Sequence, residues 1–269
     1  MITFTKYQGT GNDFILIDDR EKVFPSENIE LINTLCDRRF GIGADGLILL
    51  QHTEDGHFYM QYFNRDGRES SMCGNGGRCF ARFILDQGLA QKEIKFLAVD
   101  GWHQANLCYD SSHKEEIALQ MIQVTGVSLI DANTFELNTG SPHYVRFIES
   151  SVTDFDLINE AKKIRYNPPY VLKGINVNYL NLLGIKEIKL RTYERGVEDE
   201  TLSCGTGATA AAMSTAIFNN LPAGKHQLKV EVMGGVLNVK FHFFPLENRF
   251  EDVWLIGPAK KVFEGVVSV

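Results

Sequence analysis

Hydrophobic and polar residues alternate with a period of two in several stretches of the chain. They do so from Phe58 to Tyr62, from Ile188 to Thr192, and again on both sides of the pair Gly234-Gly235. Such alternation is typical of β-strands with one buried face, and a glycine pair between two such stretches favours a hairpin turn. The sequence therefore predicts a fold rich in strands.

Helical patterns are fewer, and we predict three principal helices. The first is capped by Ser26 and ends near Gly41. Its apolar residues share one helical face: Ile29, Ile32, Leu35 and Cys36. The second runs from about Asn75 to Gln87, where Gly88 stops it. The third, from about Thr206 to Asn219, is rich in alanine, the strongest helix former.

A weak internal repeat relates the two halves of the sequence. The strongest pair of blocks aligns Tyr62-x10-Cys73-Gly74-x-Gly76 with Tyr193-x10-Cys204-Gly205-x-Gly207, at an offset of 131 residues. Three further pairs recur in the same order: Thr10-Gly11-Asn12-Asp13 with Thr139-Gly140-Ser141-Pro142, Glu27 to Arg39 with Asp154 to Lys163, and Gly43-Ala44-Asp45 with Gly174-Ile175-Asn176. Four blocks in the same order favour two homologous halves over a chance likeness of glycine-rich turns.

These patterns predict an α+β fold made of two pseudo-symmetric half-domains. We expect each half-domain to be an antiparallel, barrel-like sheet around a central helix, with the active site in the cleft between them. The expected bounds are 1–116 for the first half-domain, completed by a C-terminal strand at 259–269, and 117–258 for the second. A chain of 269 residues is long enough for two modest cores.

Composition and charge narrow the classes of function. The chain has 34 acidic and 27 basic residues, a net charge of −7, and its basic residues are scattered. This argues against nucleic acid or a membrane surface as a partner. No apolar stretch approaches the length of a membrane span and no secretory leader is evident, so we expect a cytoplasmic protein. Five cysteines without the spacing of a disulfide framework fit a reducing compartment.

Two of the cysteines, Cys73 and Cys204, stand directly before glycine-rich helix starts, at equivalent positions of the repeat. The first amides of a helix carry the positive end of its dipole and suit a carboxylate or an oxyanion. The same field favours thiolate over thiol and lowers a cysteine pKa from about 8.5. Cys36, Cys79 and Cys108 lack this context, and we assign them structural roles.

Such a pair of cysteines fits two-base racemisation, in which one sulfur lies on each face of a substrate α-carbon. One thiolate removes the α-proton and the opposite thiol supplies a new one, which inverts the centre. Each unit of pKa mismatch between carbon acid and thiol costs about 1.4 kcal/mol, and one oxyanion donor contributes about 3 to 4 kcal/mol. The sequence carries no signal for a carbanion-stabilising cofactor or a metal site, so we expect a cofactor-independent enzyme.

The chain resembles the diaminopimelate epimerase family along its whole length. The blocks that carry the resemblance are Gly9-Thr10-Gly11-Asn12-Asp13-Phe14, Phe40-Gly41-Ile42-Gly43-Ala44-Asp45-Gly46, Phe63-Asn64-Arg65-Asp66-Gly67, Met72-Cys73-Gly74-Asn75-Gly76, Gly140-Ser141-Pro142-His143, Tyr193-Glu194-Arg195-Gly196 and Ser203-Cys204-Gly205-Thr206-Gly207. The resemblance implies an isomerase that converts LL-diaminopimelate to the meso form, on the route to lysine and cell-wall cross-links, without metal or pyridoxal phosphate.

The resemblance also implies the residues of the site. Those expected to line the substrate are Asn12, Asn64, Asn176, Glu194 and Arg195, with Gly74-Asn75 and Gly205-Thr206 holding the reacting carboxylate. His143 and Glu194 are expected to assist the thiols of Cys73 and Cys204 as proton acceptors. The chemistry agrees, because the guanidinium of Arg195 suits a distal carboxylate and the polar groups of Glu194 and Asn64 suit a distal ammonium.

Two positions depart from the family pattern. Many members carry glutamine where this chain has Gly46, and asparagine where it has Ser141. We therefore expect different contacts to the substrate nitrogen or to the distal carboxylate in this protein.

Four other interpretations are weaker. The segment Gly41 to Gly46 fits the dinucleotide fingerprint G-x-G-x-x-G, but a helix-like segment precedes it and a strand-like one follows. A non-catalytic amino-acid binder would not need both cysteines. A proline or hydroxyproline racemase would leave Arg195 without a distal carboxylate, and Cys73 and Cys79 are too far apart in sequence for a C-x-x-C redox pair. The sequence leaves open whether the chain acts as a monomer or a homodimer.

Overall fold

The computed structural model describes residues 1–70 and 72–268, so that Ser71 and Val269 lie outside the described residues. The chain forms two compact units, one made of Met1–Leu119 and Gly257–Val269, the other of Gln120–Ile256. Strands dominate both units and helices are few, which confirms the predicted α+β class. None of the helices in the described part of the chain has the length and apolar character needed to span a membrane.

The elements follow one another in regular order along the chain. The helices are α1 (Ile29–Cys36), α2 (Gly74–Asp86), α3 (Leu157–Arg165) and α4 (Gly205–Phe218), with a short 3₁₀ helix at Pro245–Glu247. The strands are β1 (Ile2–Gly9), β2 (Asn12–Asp18), β3 (Gly46–His52), β4 (Phe58–Asn64), β5 (Glu93–Ala98), β6 (Gly101–Tyr109), β7 (Glu115–Gln120), β8 (Val124–Thr125), β9 (Ser128–Asp131), β10 (Thr134–Asn138), β11 (Pro142–Phe147), β12 (Asn176–Gly184), β13 (Glu187–Glu194), β14 (Asp199–Thr201), β15 (Gly224–Val232), β16 (Gly235–Phe244), β17 (Arg249–Gly257) and β18 (Lys260–Val267).

The first unit is a sheet in the strand order β18-β1-β2-β3-β4-β5-β6-β7. Most neighbours are antiparallel, but β2 pairs parallel with β3, and β4 with β5. The expectation of an antiparallel sheet is therefore corrected to a mixed one. The physical reason is that α1 and α2 are crossover connections, which return the chain to the end of the sheet from which it left.

The second unit repeats this pattern of hairpins and crossovers. Its strand order is β9-β10-β11-β12-β13-β15-β16-β17-β8, and β14 pairs with the end of β13. The parallel pairs are β11 with β12, connected through α3, and β13 with β15, connected through α4. Hairpin, crossover helix and strand thus occur in the same sequence in both units.

Each unit buries one helix against its sheet. Helix α2 contacts β1, β2, β3, β6 and β18, and α4 contacts β10 to β13, β15 and β16. Small residues allow this close approach. A Cβ on Gly207 of α4 would lie 2.6 Å from Oδ1 of Asn178, and one on Gly77 of α2 would lie 2.8 Å from the sulfur of Met72. Both central helices therefore pack closely against their surroundings at a glycine near their start.

The predicted helix bounds hold for α2 and α4 to within one residue, but not for α1. Its cap is Asn28, whose Oδ1 accepts a hydrogen bond from the Leu31 amide at 3.0 Å, so the assignment of the cap to Ser26 is wrong. A turn that begins at Pro25 takes up Ser26, because the Asn28 amide donates back to the Pro25 carbonyl. The helix also ends at Cys36, well before Gly41, since Asp37 is already extended.

Candidate active site

Cys73 is the residue at which helix α2 begins. Its backbone is extended, with φ −86° and ψ 132°, and its carbonyl oxygen accepts from the Gly77 amide at 2.7 Å. The amides of Gly74 and Asn75 come before this first intrahelical hydrogen bond and so belong to the positive end of the helix. The half-buried thiol of Cys73 therefore stands at a site suited to an anion.

Cys204 has the same relation to helix α4. Its backbone is extended, with φ −115° and ψ 112°, and its carbonyl oxygen accepts from the Ala208 amide at 2.9 Å. Its sulfur lies 3.5 Å from Oγ1 of Thr206, and the residue is buried. The sequence prediction that both cysteines occupy helix entrances is confirmed.

The cysteines assigned structural roles lie in different surroundings. Cys36 and Cys79 are fully buried, and this burial raises the pKa of each thiol to about 12. Cys108 is half-buried on β6, where its sulfur lies 3.5 Å from the carbonyl oxygen of Glu116. The fully buried thiols stay protonated at neutral pH and are poor nucleophiles.

Two predicted substrate residues of the first unit contact each other. Nδ2 of Asn75 donates to Oδ1 of Asn12, and Nδ2 of Asn12 donates to Oδ2 of Asp45 at 2.9 Å. Asp45 is held in turn by Arg38 at 2.8 Å. Asn64 lies apart from this chain of hydrogen bonds, exposed at the end of β4 and opposite Gly46 in the strand register.

The glycine at position 46 has a structural reason in this chain. A Cβ there would lie 2.5 Å from the carbonyl oxygen of Phe63, and 2.6 Å from Cε2 of Tyr62. The Tyr62 ring is buried and packs edge-on against Phe14, with 6.1 Å between ring centroids. The aromatic ring of Tyr62 thus occupies the space that a longer side chain at position 46 would need.

In the second unit, His143 is fully buried on β11. Its Nδ1 lies 3.1 Å from Nδ2 of Asn178, which also donates to the Tyr144 carbonyl at 2.9 Å, while Oδ1 of Asn178 accepts from Thr192. These partners fix the Asn178 carboxamide, so Nδ1 of His143 accepts and Nε2 carries the proton. Nε2 is buried and has no partner among the described residues.

His143 is also held neutral. Burial, together with the smaller effect of the nearby charge of Arg195, lowers its pKa from 6.5 to about 3. Neutral His143 therefore offers an N–H donor at Nε2, whereas the family resemblance implies a proton acceptor. To accept a proton at Nε2, the ring would have to change tautomer and lose its bond from Asn178.

Arg195 is positioned by three groups of the second unit. Its amide donates to Oδ1 of Asn176 at 2.9 Å, and its guanidinium donates to the Lys173 carbonyl at 3.0 Å and to Oγ of Ser141 at 3.4 Å. Nδ2 of Asn176 donates to the same Ser141 oxygen at 2.8 Å. Ser141 thus connects Asn176 to Arg195. No carboxylate of the described residues forms an ion pair with Arg195, which is exposed.

Glu194 precedes Arg195 at the end of β13, where its Oε2 accepts from the Thr201 hydroxyl at 3.0 Å.

The loop that follows is held by Glu198, a residue that sequence reasoning missed. Glu198 has a left-handed φ of 59°, and its carboxylate binds Arg165 of α3 at 2.8 Å and Tyr166 at 3.1 Å. This conformation is unusual for a residue other than glycine, and such positions cluster at functional loops.

Arg78 is a second residue that sequence reasoning missed. It lies on α2 and is fully buried, with its guanidinium against Thr10, Gly74 and Asn75. One sequence signal could have found it. Arg78 lies four residues after Gly74, so the two residues share one face of the helix, and the other faces of this helix carry apolar or small residues.

The structure also bears on the alternatives. The glycine-rich segment that fits the dinucleotide fingerprint lies after α1 and leads into β3, so it lacks the strand-then-helix order that nucleotide binding needs. Within residues 1–70 and 72–268, no group of three or more His, Cys, Asp or Glu side chains is placed to hold a metal ion.

Solved structures define the class of protein. A phenazine biosynthesis protein of the PhzF family from Bacillus anthracis superposes with a TM-score of 0.73 and 14% identity over 99% of each chain. A probable proline racemase from Agrobacterium radiobacter gives a TM-score of 0.69 and 13% identity over 100% of this chain and 93% of that one. At such identities the likeness shows the fold alone. The chain is a two-unit α+β protein of this fold, with a cysteine at the entrance to each central helix.

Sequence relatives then identify the family. The family model described as diaminopimelate epimerase matches residues 4–124 and 135–245. A diaminopimelate epimerase from Flavobacterium psychrophilum is 46% identical over 263 residues, which cover 97% of this chain and 98% of that protein. The chain belongs to the diaminopimelate epimerase family, which confirms the resemblance found in its motifs.

Proposed function

We propose that the protein is a diaminopimelate epimerase, an isomerase that interconverts LL- and meso-diaminopimelate by two-base proton transfer between Cys73 and Cys204. The observation that carries the proposal is the matched position of these two cysteines, each at the entrance to the buried helix of its unit. Membership of the diaminopimelate epimerase family supports the choice of substrate.

In the proposed reaction, the amides at the starts of α2 and α4 hold the carboxylate next to the reacting carbon. Gly74-Asn75 and Gly205-Thr206 supply these donors. One thiolate removes the α-proton, negative charge develops on the carboxylate oxygens, and the opposite thiol delivers a proton to the other face. Donors fixed in place before the reaction stabilise the additional charge of the transition state more than the single charge of the bound carboxylate, which lowers the barrier.

The distal end of diaminopimelate carries a second carboxylate and a second ammonium group. We assign the carboxylate to Arg195, because its guanidinium is exposed and held in place by neutral oxygens of the chain. Glu194, Asn64 and Asn176 provide oxygen acceptors for the ammonium, and Asn12 completes the polar lining. A substrate without a distal carboxylate, such as proline, would leave Arg195 unused.

We assign His143 the role of a neutral donor that orders the site, through the proton on Nε2. Glu194 is retained as the candidate proton acceptor.

The proposal requires no metal and no cofactor. It treats the two halves as homologous domains with the bounds expected from the sequence, 1–116 with 259–269 and 117–258. A cytoplasmic location fits a biosynthetic enzyme of this kind.

The direct test is to incubate the purified protein with LL-diaminopimelate, and separately with L-proline, without any added cofactor. We expect the meso isomer to form and proline to remain unchanged. Cys73→Ala and Cys204→Ala should each abolish the reaction and remain folded, while Cys79→Ala, in the same helix as Cys73, should stay active. Turnover of proline alone, or full activity of either cysteine variant, would reject the proposal.

A further inference from the structure

Arg78 is a buried cation bound by neutral oxygens, and the negative charge of Glu116 acts on it only from beyond ion-pair distance. The residue is fully buried, and no carboxylate of the described residues forms an ion pair with it. Its guanidinium donates instead to neutral oxygens: Oγ1 of Thr10 at 2.7 Å, Oδ1 of Asn75 at 2.9 Å and the Gly74 carbonyl at 3.4 Å. A charge buried in this way is costly, so its retention at the start of α2 calls for an explanation.

The contact with Asn75 is the first step of a chain of hydrogen bonds. Arg78 donates to Oδ1 of Asn75, Nδ2 of Asn75 donates to Oδ1 of Asn12, and Nδ2 of Asn12 donates to the Asp45 carboxylate. The chain thus runs from a cation through two carboxamides to an anion. We call these four side chains, Arg78, Asn75, Asn12 and Asp45, the amide relay.

The charged ends of the amide relay determine which way both carboxamides point. A guanidinium can only donate, so Asn75 must present its oxygen to Arg78 and its nitrogen to Asn12. A carboxylate can only accept, so Asn12 must present its nitrogen to Asp45. Both requirements agree at the central bond between the two asparagines. Reversal of either carboxamide would break hydrogen bonds at one charged end, where they are strongest.

The second unit has no such cation at the matching place. Thr209 occupies the equivalent position of α4, and its hydroxyl donates to the Gly205 carbonyl at 3.0 Å, as Arg78 does to Gly74. Asn176, Ser141 and Thr206 stand where the first unit has Asp45, Asn12 and Asn75. The amide relay is thus a device of the first unit, added to a helix start that both units share.

We propose that Arg78 is a positioning residue, which orients the carboxamides of Asn75 and Asn12 for substrate binding beside Cys73. The inference rests on the proposed function, because it needs Asn12 and Asn75 to line the substrate. With the relay intact, the second N–H of Asn12 Nδ2 is directed as a donor and suits a carboxylate oxygen. Without the Arg78 charge, Asn75 loses a donor that holds its oxygen, and only the Asp45 carboxylate still orients Asn12, so the carboxamides are held from one end of the amide relay instead of two.

A first experiment tests the amide relay independently of activity. Protein labelled with ¹⁵N at asparagine is compared with Arg78→Met and with Arg82→Met, a matched control one turn later, whose guanidinium pairs with Asp86 and Glu115 at the surface. We expect the side-chain amide signals of Asn12 and Asn75 to shift and their hydrogen exchange to speed up at least tenfold in Arg78→Met only. Unchanged signals in a folded Arg78→Met protein would overturn the relay.

A second experiment tests its role in catalysis. Arg78→Met should raise KM for diaminopimelate about tenfold and lower kcat less than threefold, because it weakens the binding groups and leaves both thiols in place. Arg78→Lys keeps the cation and should recover KM to within about threefold of the wild type. Equal KM values for the Lys and Met variants would show that the charge does not matter, and would overturn the proposal.

The far end of the amide relay gives a variant that does not disturb the buried arginine. Asp45→Asn should also raise KM about tenfold, and in the double variant with Arg78→Met the combined effect should be well below the product of the two. Independent structural sites would multiply instead. If Arg78→Met does not fold, an unchanged KM in Asp45→Asn decides against the relay. A wild-type protein inactive on diaminopimelate would reject the proposed function and leave the amide-signal result standing.

Discussion

The hydroxyl of Thr139 donates to the main-chain carbonyl oxygen of Thr206 across 2.8 Å. This bond ties the turn between β10 and β11 to the first turn of α4, directly after Cys204. In the first unit, the hydroxyl of Thr10, at the matching turn, accepts from Arg78 of α2. In both units, therefore, the threonine of the first repeated block binds a residue in the first turns of the helix that follows the cysteine.

Thr139→Val should destabilise the protein by about 1 kcal/mol, because the Thr206 carbonyl loses a donor. It should also lower kcat/KM about tenfold, since Thr206 lies in the turn assigned to the reacting carboxylate. The matched control is Thr215→Val, which removes a similar hydroxyl bond to the Ala211 carbonyl, 2.7 Å long, farther along α4. We expect Thr215→Val to lose comparable stability and keep its activity; an equal loss of activity in both variants would contradict this prediction.

The parts of the fold that sequence predicted best were those fixed by local chemistry. Glycine-rich segments directly after Cys73 and Cys204 could only be helix entrances or turns, and the structure has helices there. The parallel strand pairs were missed because strand direction depends on where a crossover helix packs, and alternation of residue types contains no such information. The choice of Asn28 over Ser26 as a cap likewise depended on a turn closed by Pro25.

Individual residues of the candidate site could be predicted from the sequence only where they lie in a recognisable motif. Arg78 escaped because an arginine in a helix is normally assigned to the exposed face, and its burial arises from contacts with Thr10, 68 residues away in sequence. The glycine at position 46 could be noted as a departure, but its reason is the Phe63 carbonyl and the Tyr62 ring on the neighbouring strand. Such facts come from tertiary packing.

Gly174→Ala should displace Arg195. The Cβ added at Gly174 would lie 2.5 Å from Cδ of Arg195 and 2.8 Å from its Cγ. We expect KM for diaminopimelate to rise at least tenfold, because the distal carboxylate loses its partner. Gly196→Ala is the matched control: its φ of 91° is also in the left-handed region that strains alanine, as is the 71° of Gly174, but nothing lies within 4 Å of the added Cβ. If the two variants have the same KM, backbone strain and not Arg195 explains the effect.

Alkylation should distinguish the cysteines. At pH 8, iodoacetamide should modify Cys73 and Cys204 faster than Cys36 and Cys79. Burial raises the pKa of the latter two thiols to about 12 and leaves them no exposed surface, whereas Cys204 keeps 6% of its surface exposed. Peptide mass spectrometry after short exposures measures the order. Early modification of Cys79, with Cys73 and Cys204 still intact, would contradict the assignment of the two reactive thiols.

His143 should make the protein less stable in mild acid. Its pKa is about 3 in the folded protein, against an ordinary value near 6.5, so below about pH 6.5 the unfolded chain binds a proton that the folded one does not. Stability from this group is complete above that pH and falls as the pH is lowered towards 3, by about 2 kcal/mol at pH 5. Denaturant unfolding of wild type and His143→Gln at pH 7 and pH 5 measures it; the same pH dependence in both proteins would contradict the prediction.

The final prediction concerns the path of the proton, which depends on there being two cysteines and not one. If thiols on opposite faces of the α-carbon act together, the hydrogen removed by one sulfur is not the hydrogen delivered by the other. In deuterated water, meso-diaminopimelate formed early from the LL isomer should therefore carry deuterium at the inverted carbon. Recovered LL isomer should stay nearly unlabelled, because the abstracted proton remains on a shielded thiol and returns to the face it left. A single base serving both faces would return part of the original hydrogen to the product. Mass spectrometry of both isomers at low conversion measures these fractions, and early product rich in substrate-derived hydrogen would refute the two-base assignment even if both Cys73 and Cys204 proved essential.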